Sequence, residues 1–241
     1  MNAWLPGFDR GARPRLRLFA LPCAGRGAAQ FASWSRLLPP DVQLCPIQLP
    51  GRENRAAERP ATDLVGLAAR LVPAIAPLLE TPFAVFGHSM GALLGFELNR
   101  ALRANFGIEA VHLVVAASPP PQFEHPDRPG ADDIAAQVAA SLTGVPDGPE
   151  RDEAAAQAIR VLTADTEMCR TYTFTPTAPL DCPVTAVHAE SDAGVTAELM
   201  AGWSAHTTGP FTHLGVAGDH FLAESWATLP AVVLSKMGSL T

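Results

Sequence analysis

Apolar and polar positions along this chain fall into short runs of two kinds, and the two kinds take turns. Arg15-Leu16-Arg17-Leu18-Phe19-Ala20-Leu21 alternates polar and apolar, as an early strand does. Val42 to Gln48 reads as a second strand. Phe83-Ala84-Val85-Phe86 is a short, wholly apolar run of the kind buried on both faces of a sheet. Val111 to Ala116, Val184 to His188 and Phe211 to Val216 give three more strands. Between them, Leu64 to Leu79 has helical spacing, which Pro73 and Pro77 should shorten or kink. Helices are also predicted after Gly91 to about Arg103, over Thr196 to Ala205, and from Phe221 to Leu234. This alternation predicts an α/β chain with a mostly parallel central sheet flanked by helices.

Residues 118–180 break the alternation. Pro119-Pro120-Pro121 opens a loop, and two helical stretches follow, roughly Asp132 to Leu142 and Glu150 to Asp165, with no strand signal. An insertion of this size between strands is commonly a lid over a site. Its acidic, alanine-rich helices suit a mobile cover, the plainer alternative being helices packed statically on the sheet. The expected organisation is a core of residues 1–117 and 181–241 with a helical lid insertion at 118–180.

Composition narrows the class. The chain has 241 residues, 48% hydrophobic and 17% charged, enough for one sizeable core and too apolar for disorder. Its start, Met1-Asn2-Ala3-Trp4-Leu5-Pro6-Gly7, lacks the basic region and apolar run of a signal peptide. No apolar stretch reaches about 18 residues without a charge or breaker. A cytoplasmic protein, off the membrane and monomeric, is expected. Cys23, Cys45, Cys169 and Cys182 are scattered, as in a reduced protein without a disulfide frame or metal site. The net charge of −7 is uneven: residues 1–120 hold 12 arginines against 8 acidic residues, and 121–241 hold 5 basic against 16 acidic. The arginine-rich part can face an acidic partner, beside the blander reading of a solvated surface. A basic helix or aromatic-interleaved patch for nucleic acid is absent.

The chemistry centres on Gly87-His88-Ser89-Met90-Gly91. A G-x-S-x-G run is specific when a buried strand precedes it and a helix follows, as here. Small residues two before and two after the serine let strand and helix approach on a tight, strained turn that holds the hydroxyl clear of the sheet. This is the nucleophile elbow of the α/β-hydrolase fold, with Ser89 as nucleophile. A serine hydroxyl needs a base. Among seven histidines, His220 alone sits just past the last predicted strand, in Gly218-Asp219-His220-Phe221. His88, beside the nucleophile, should point away and pack. The acid belongs after Val184 to His188, where Glu190 and Asp192 stand; Asp192, further out on the turn, is preferred, with Glu124 or Asp127 as runners-up. The backbone N–H of Met90 and one from Pro22-Cys23-Ala24-Gly25-Arg26-Gly27 should form an oxyanion hole. A dinucleotide reading of Gly25-x-Gly27 fails, since Gln30 stands where a third glycine is needed.

Several runs together resemble the type II, editing thioesterases of polyketide synthases and nonribosomal peptide synthetases. They include Leu18-Phe19-Ala20-Leu21-Pro22-Cys23-Ala24-Gly25, Gln48-Leu49-Pro50-Gly51-Arg52, Phe86-Gly87-His88-Ser89-Met90-Gly91-Ala92, Arg170-Thr171-Tyr172, Leu180-Asp181-Cys182-Pro183-Val184, Trp203, His206-Thr207-Thr208-Gly209-Pro210-Phe211 and His220-Phe221. The resemblance places Ser89, Asp192 and His220 on the family's triad and Ala24 and Met90 on its oxyanion donors. It implies hydrolysis of stalled or aberrant acyl groups from the phosphopantetheine arm of an acyl or peptidyl carrier protein, in antibiotic-type biosynthesis, with no cofactor of the enzyme's own. Cys23 departs from a position where the family often has His or an aromatic, which predicts an altered entrance. The competing expectations are a medium-chain acyl thioesterase, a carboxylesterase on small esters, and a hydrolase-fold binding protein without chemistry.

Overall fold

The structure is a computed structural model that describes residues 2–123, 131–144 and 146–237. Its strands are β1 (Leu16–Leu21), β2 (Val42–Pro46), β3 (Phe83–His88), β4 (His112–Ala116), β5 (Val184–Ala189) and β6 (Phe211–Val216). They form one sheet in the order β2-β1-β3-β4-β5-β6, and every neighbouring pair is parallel. The order reverses at β1 and β3, so the crevice above their carboxyl ends is the natural place for a site.

Side chains alternate between two cores, as the two-residue period of a strand requires. Phe19 pairs in register with Val85, and Val85 with Leu113; this row faces α1 (Leu64–Ile75) and α2 (Met90–Phe106). Ala20, Phe86 and Val114 form the row on the opposite face, which Phe31, Trp34, Leu229 and Val233 cover. Phe31 and Trp34 belong to a 3-10 helix, Ala28–Arg36, that hydrophobic periodicity did not predict. Both are fully buried. Their spacing of three aligns them on one side of a 3-10 helix, a pattern too short to register as a helical stripe.

The predicted 64–79 helix ends as an α-helix at Ile75, soon after Pro73, and tightens into a 3-10 turn over Ala76–Leu78. Between β4 and β5 lie α3 (Ala131–Ser141) and α4 (Pro149–Thr171), the latter running six residues beyond the expected Asp165. Ile134 and Val138 of α3 meet Leu162 of α4 in a small apolar cluster of their own, whereas Met168 of α4 joins the main core. The predicted 196–205 helix is α5 (Ala197–Ala201) followed by a 3-10 turn, Gly202–His206. The closing helix differs most from expectation. It was predicted from Phe221, but α6 spans Leu229–Lys236 and residues 223–228 are turns. Leu222 takes a positive φ of 59° that ends any helix through it. Pro230 then fits the first turn of a helix, where its missing N–H has no partner to lose.

Candidate active site

β3 delivers Ser89 to the carboxyl end of the sheet, and α2 starts at the next residue. Ser89 is held at φ 54° and ψ −119°, a conformation that costs a non-glycine residue of order 1–3 kcal/mol. Its N–H is tied to the Ala116 carbonyl of β4 at 2.8 Å, which fixes the strained turn to the sheet. The flanking glycines are required by space. A Cβ on Gly87 would lie 2.1 Å from the Gly91 carbonyl oxygen, and one on Gly91 would lie 2.3 Å from the Leu21 carbonyl oxygen.

Three predicted residues meet here from three loops. His220, in the loop after β6, approaches the Ser89 Oγ with Nε2 at 2.9 Å and the Asp192 Oδ2 with Nδ1 at 2.7 Å. Asp192 follows β5, and its Oδ1 accepts the N–H groups of Gly194 at 2.9 Å and Val195 at 3.1 Å. These bonds lock the carboxylate and leave Oδ2 to the histidine. Burial pushes the Asp192 carboxyl up, but the hydrogen bond and charge of His220 and the two backbone N–H groups outweigh it, so its pKa lies below the ordinary value. Asp192 is therefore ionised and fixes the Nδ1–H tautomer, leaving Nε2 to accept the serine proton. Glu190 is exposed, and Asp219 caps its own turn by accepting the Phe221 N–H at 3.0 Å. The runners-up Glu124 and Asp127 lie outside the described residues.

His88 does more than pack. Its Nε2–H donates to the His220 carbonyl oxygen at 2.8 Å, and its Nδ1 accepts the Gln30 side-chain amide at 2.9 Å. Burial holds it neutral, with a pKa lowered to about 4. The loop holding Ala24 turns on Gly25, whose φ is 77°, and is closed by the Arg26 N–H to the Cys23 carbonyl oxygen at 3.1 Å. Met90 opens α2, where first-turn N–H groups have no helical partner and the helix dipole favours an anion. Buried Cys23 has its thiol pKa pushed up to about 12, an unreactive thiol beside the loop.

Two cavities flank the loop. One of about 560 Å³ is lined by Cys23, His88, Gln157 and Trp226, among others. Another of about 320 Å³ is lined by Ala24, Val138 and Leu162 and so lies under α3 and α4. Gly25, Arg26, Ala158 and Phe221 line both. Among the described residues, no His, Cys, Asp and Glu group could hold a metal ion, and no helix is long and apolar enough to cross a membrane.

Comparison with known proteins finds similarity along nearly the whole chain. A family model described as "Thioesterase domain" matches residues 16–235. Gramicidin S biosynthesis protein GrsT of Aneurinibacillus migulanus is 37% identical, over 92% of this chain and 88% of that protein. Thioesterase PikA5 of Streptomyces venezuelae is 33% identical, over 92% of this chain and 81% of that protein. The type II thioesterase BorB of the borrelidin biosynthetic cluster superposes with a TM-score of 0.85 at 29% identity, covering 98% of each chain. From β1 to within α6, the chain belongs to the thioesterase family, enzymes of α/β-hydrolase fold that hydrolyse thioesters.

Proposed function

We propose that this protein is a type II thioesterase that hydrolyses stalled or aberrant acyl groups from the phosphopantetheine arm of acyl or peptidyl carrier proteins, in polyketide or nonribosomal peptide biosynthesis. The observation that carries the chemistry is the row of hydrogen bonds from Asp192 through His220 to Ser89, on a strained turn at the head of α2. The relatives' places in gramicidin S and borrelidin biosynthesis support the substrate class.

In this reading His220 Nε2 takes the Ser89 proton as Oγ attacks the thioester carbonyl carbon. The N–H groups of Ala24 and Met90 hold the resulting oxyanion. The C–S bond breaks, the imidazolium proton goes to the departing sulfur, and an ester to Ser89 remains. Water, deprotonated by His220, attacks that ester; its collapse frees the acid and returns the proton to Ser89. The enzyme needs no cofactor for these steps, because the arm belongs to the partner. Residues 118–180 act as a lid, with α3 and α4 roofing the smaller cavity, and the protein works as a cytoplasmic monomer.

The test compares hydrolysis of one acyl group on a carrier protein, on N-acetylcysteamine and on p-nitrophenol, by wild type and Ser89→Ala. Higher kcat/KM on the carrier-bound thioester, lost in Ser89→Ala, is expected. An equal or better oxygen ester, with nothing gained from the carrier, would overturn the carrier assignment.

A further inference from the structure

The turn that bears Ala24 is gripped from both sides by side chains, one nearby in sequence and one remote. On one side the Cys23 N–H donates to Gln30 Oε1 at 3.1 Å, and the Gln30 amide is held in turn by His88. On the other, the Gly25 N–H donates to Asp165 Oδ2 at 2.8 Å. Asp165 comes from α4 and is fully buried. Arg52 meets it with a two-pronged ion pair at 2.5 and 2.8 Å, and the same guanidinium donates to the Arg26 carbonyl oxygen at 3.1 Å. The N–H groups of Cys23, Gly25 and Arg26 are thus all occupied. Ala24, between them, donates to no acceptor among the described residues.

We propose that Gln30 and Asp165 are positioning residues that aim the Ala24 N–H at the oxyanion, Gln30 from the elbow side and Asp165, backed by Arg52, from α4. The proposal rests on the reading of Ser89 as nucleophile and Ala24 as oxyanion donor. A donor contributes to catalysis only if it is already pointed where charge develops. A three-residue turn with a positive-φ glycine has no such rigidity of its own. Two amides fixed on either side of Ala24 leave its peptide plane little freedom. Because one grip comes from α4, any shift of α4 also releases the donor.

A positioning role is separated from a structural one by comparing ground-state and tetrahedral ligands. The variants are Gln30→Met, which removes the first acceptor together with the amide donor to His88, and Arg52→Met/Asp165→Leu, which removes the second acceptor, leaves the His88 bond intact and strands no charge. Arg52→Gln/Asp165→Asn keeps an oxygen for the Gly25 N–H. The readouts are kcat and KM on an acyl-N-acetylcysteamine thioester, inhibition by an alkyl boronic acid that forms a tetrahedral adduct on Ser89, and binding of the matching non-hydrolysable thioether. Gln30→Met and Arg52→Met/Asp165→Leu are expected to lower kcat about 10- to 100-fold and weaken the boronate in parallel, leaving KM and thioether binding unchanged. Arg52→Gln/Asp165→Asn is expected to recover most of both losses. Equal weakening of boronate and thioether, or an unchanged boronate, would overturn the proposal. If the double variants do not fold, Gln30→Met decides alone. Ser89→Ala runs alongside: turnover surviving in it defeats the nucleophile assignment itself, a result distinct from failure of the positioning role.

Discussion

Ser89 is the residue at which local preference and global structure disagree: a positive φ on a non-glycine side chain persists because β3, β4 and α2 fix both its neighbours. That conflict is what made it legible, since a serine on a strained turn needs the glycines at 87 and 91 that the sequence shows around it. Asp192 and His220 were legible for a related reason, each lying on the turn just after a strand end that the apolar pattern marks. Gln30 and Asp165 were not. Asp165 bonds a backbone N–H 140 positions away, and no periodicity within its own helix reports that. Arg52 could be picked out within Gln48-Leu49-Pro50-Gly51-Arg52, but without its buried partner it had no assigned task. His88 was expected to pack, and its ring hydrogen bonds to Gln30 and the His220 carbonyl emerge only in three dimensions. At this scale Asp192→Asn tests the tautomer argument. The two backbone N–H groups keep the amide oxygen, so the NH2 faces Nδ1 as a donor and enforces the wrong tautomer, and kcat should fall by about 10²- to 10⁴-fold with the fold intact. A kcat within threefold of wild type in stopped-flow assays would show that Asp192 does not orient the histidine.

The strands followed the sequence closely because each carries a local signal of its own, a polar–apolar alternation at β1 and an apolar run at β3. Helix ends depended on context: Leu222 and Pro230 moved the start of the last helix, and Gly202 coincided with the change from α5 to a 3-10 turn. Between β4 and β5 the two helices are held unequally. α4 is tied to the core by Met168, by the Asp165–Arg52 pair and by Gln157 bonded to the Gly51 carbonyl. α3 rests on α4 through Ile134 and Val138. Hydrogen exchange should therefore proceed at least tenfold faster in α3 than in the 161–170 half of α4, because opening α3 breaks a satellite cluster and opening α4 breaks a buried ion pair. Equal protection of the two would mean that the pair moves or stays as one body.

Charge and protonation act over the whole molecule. Burial lowers the pKa of His88, His112 and His206 to about 4 each, from an ordinary 6.5. The unfolded chain therefore takes up these protons first as pH falls. The stabilisation they allow is complete above about pH 6.5, declines toward pH 4, and is lost below it. Urea midpoints measured between pH 7.5 and 4 should fall steadily. His112→Asn, outside the site, should remove about 2 kcal/mol of that decline; an unchanged slope would show that His112 titrates normally.

The central claim, that acyl groups pass through an ester on Ser89, predicts a common intermediate whatever the leaving group. The direct measurement is the ratio of hydroxamate to free acid formed with hydroxylamine present, for the same acyl group on carrier protein, N-acetylcysteamine and p-nitrophenol. A single ratio for all three once spontaneous hydroxylaminolysis is subtracted, with nothing above that background from Ser89→Ala, is the predicted result. A ratio that changes with the leaving group, or turnover that survives in Ser89→Ala, would contradict it.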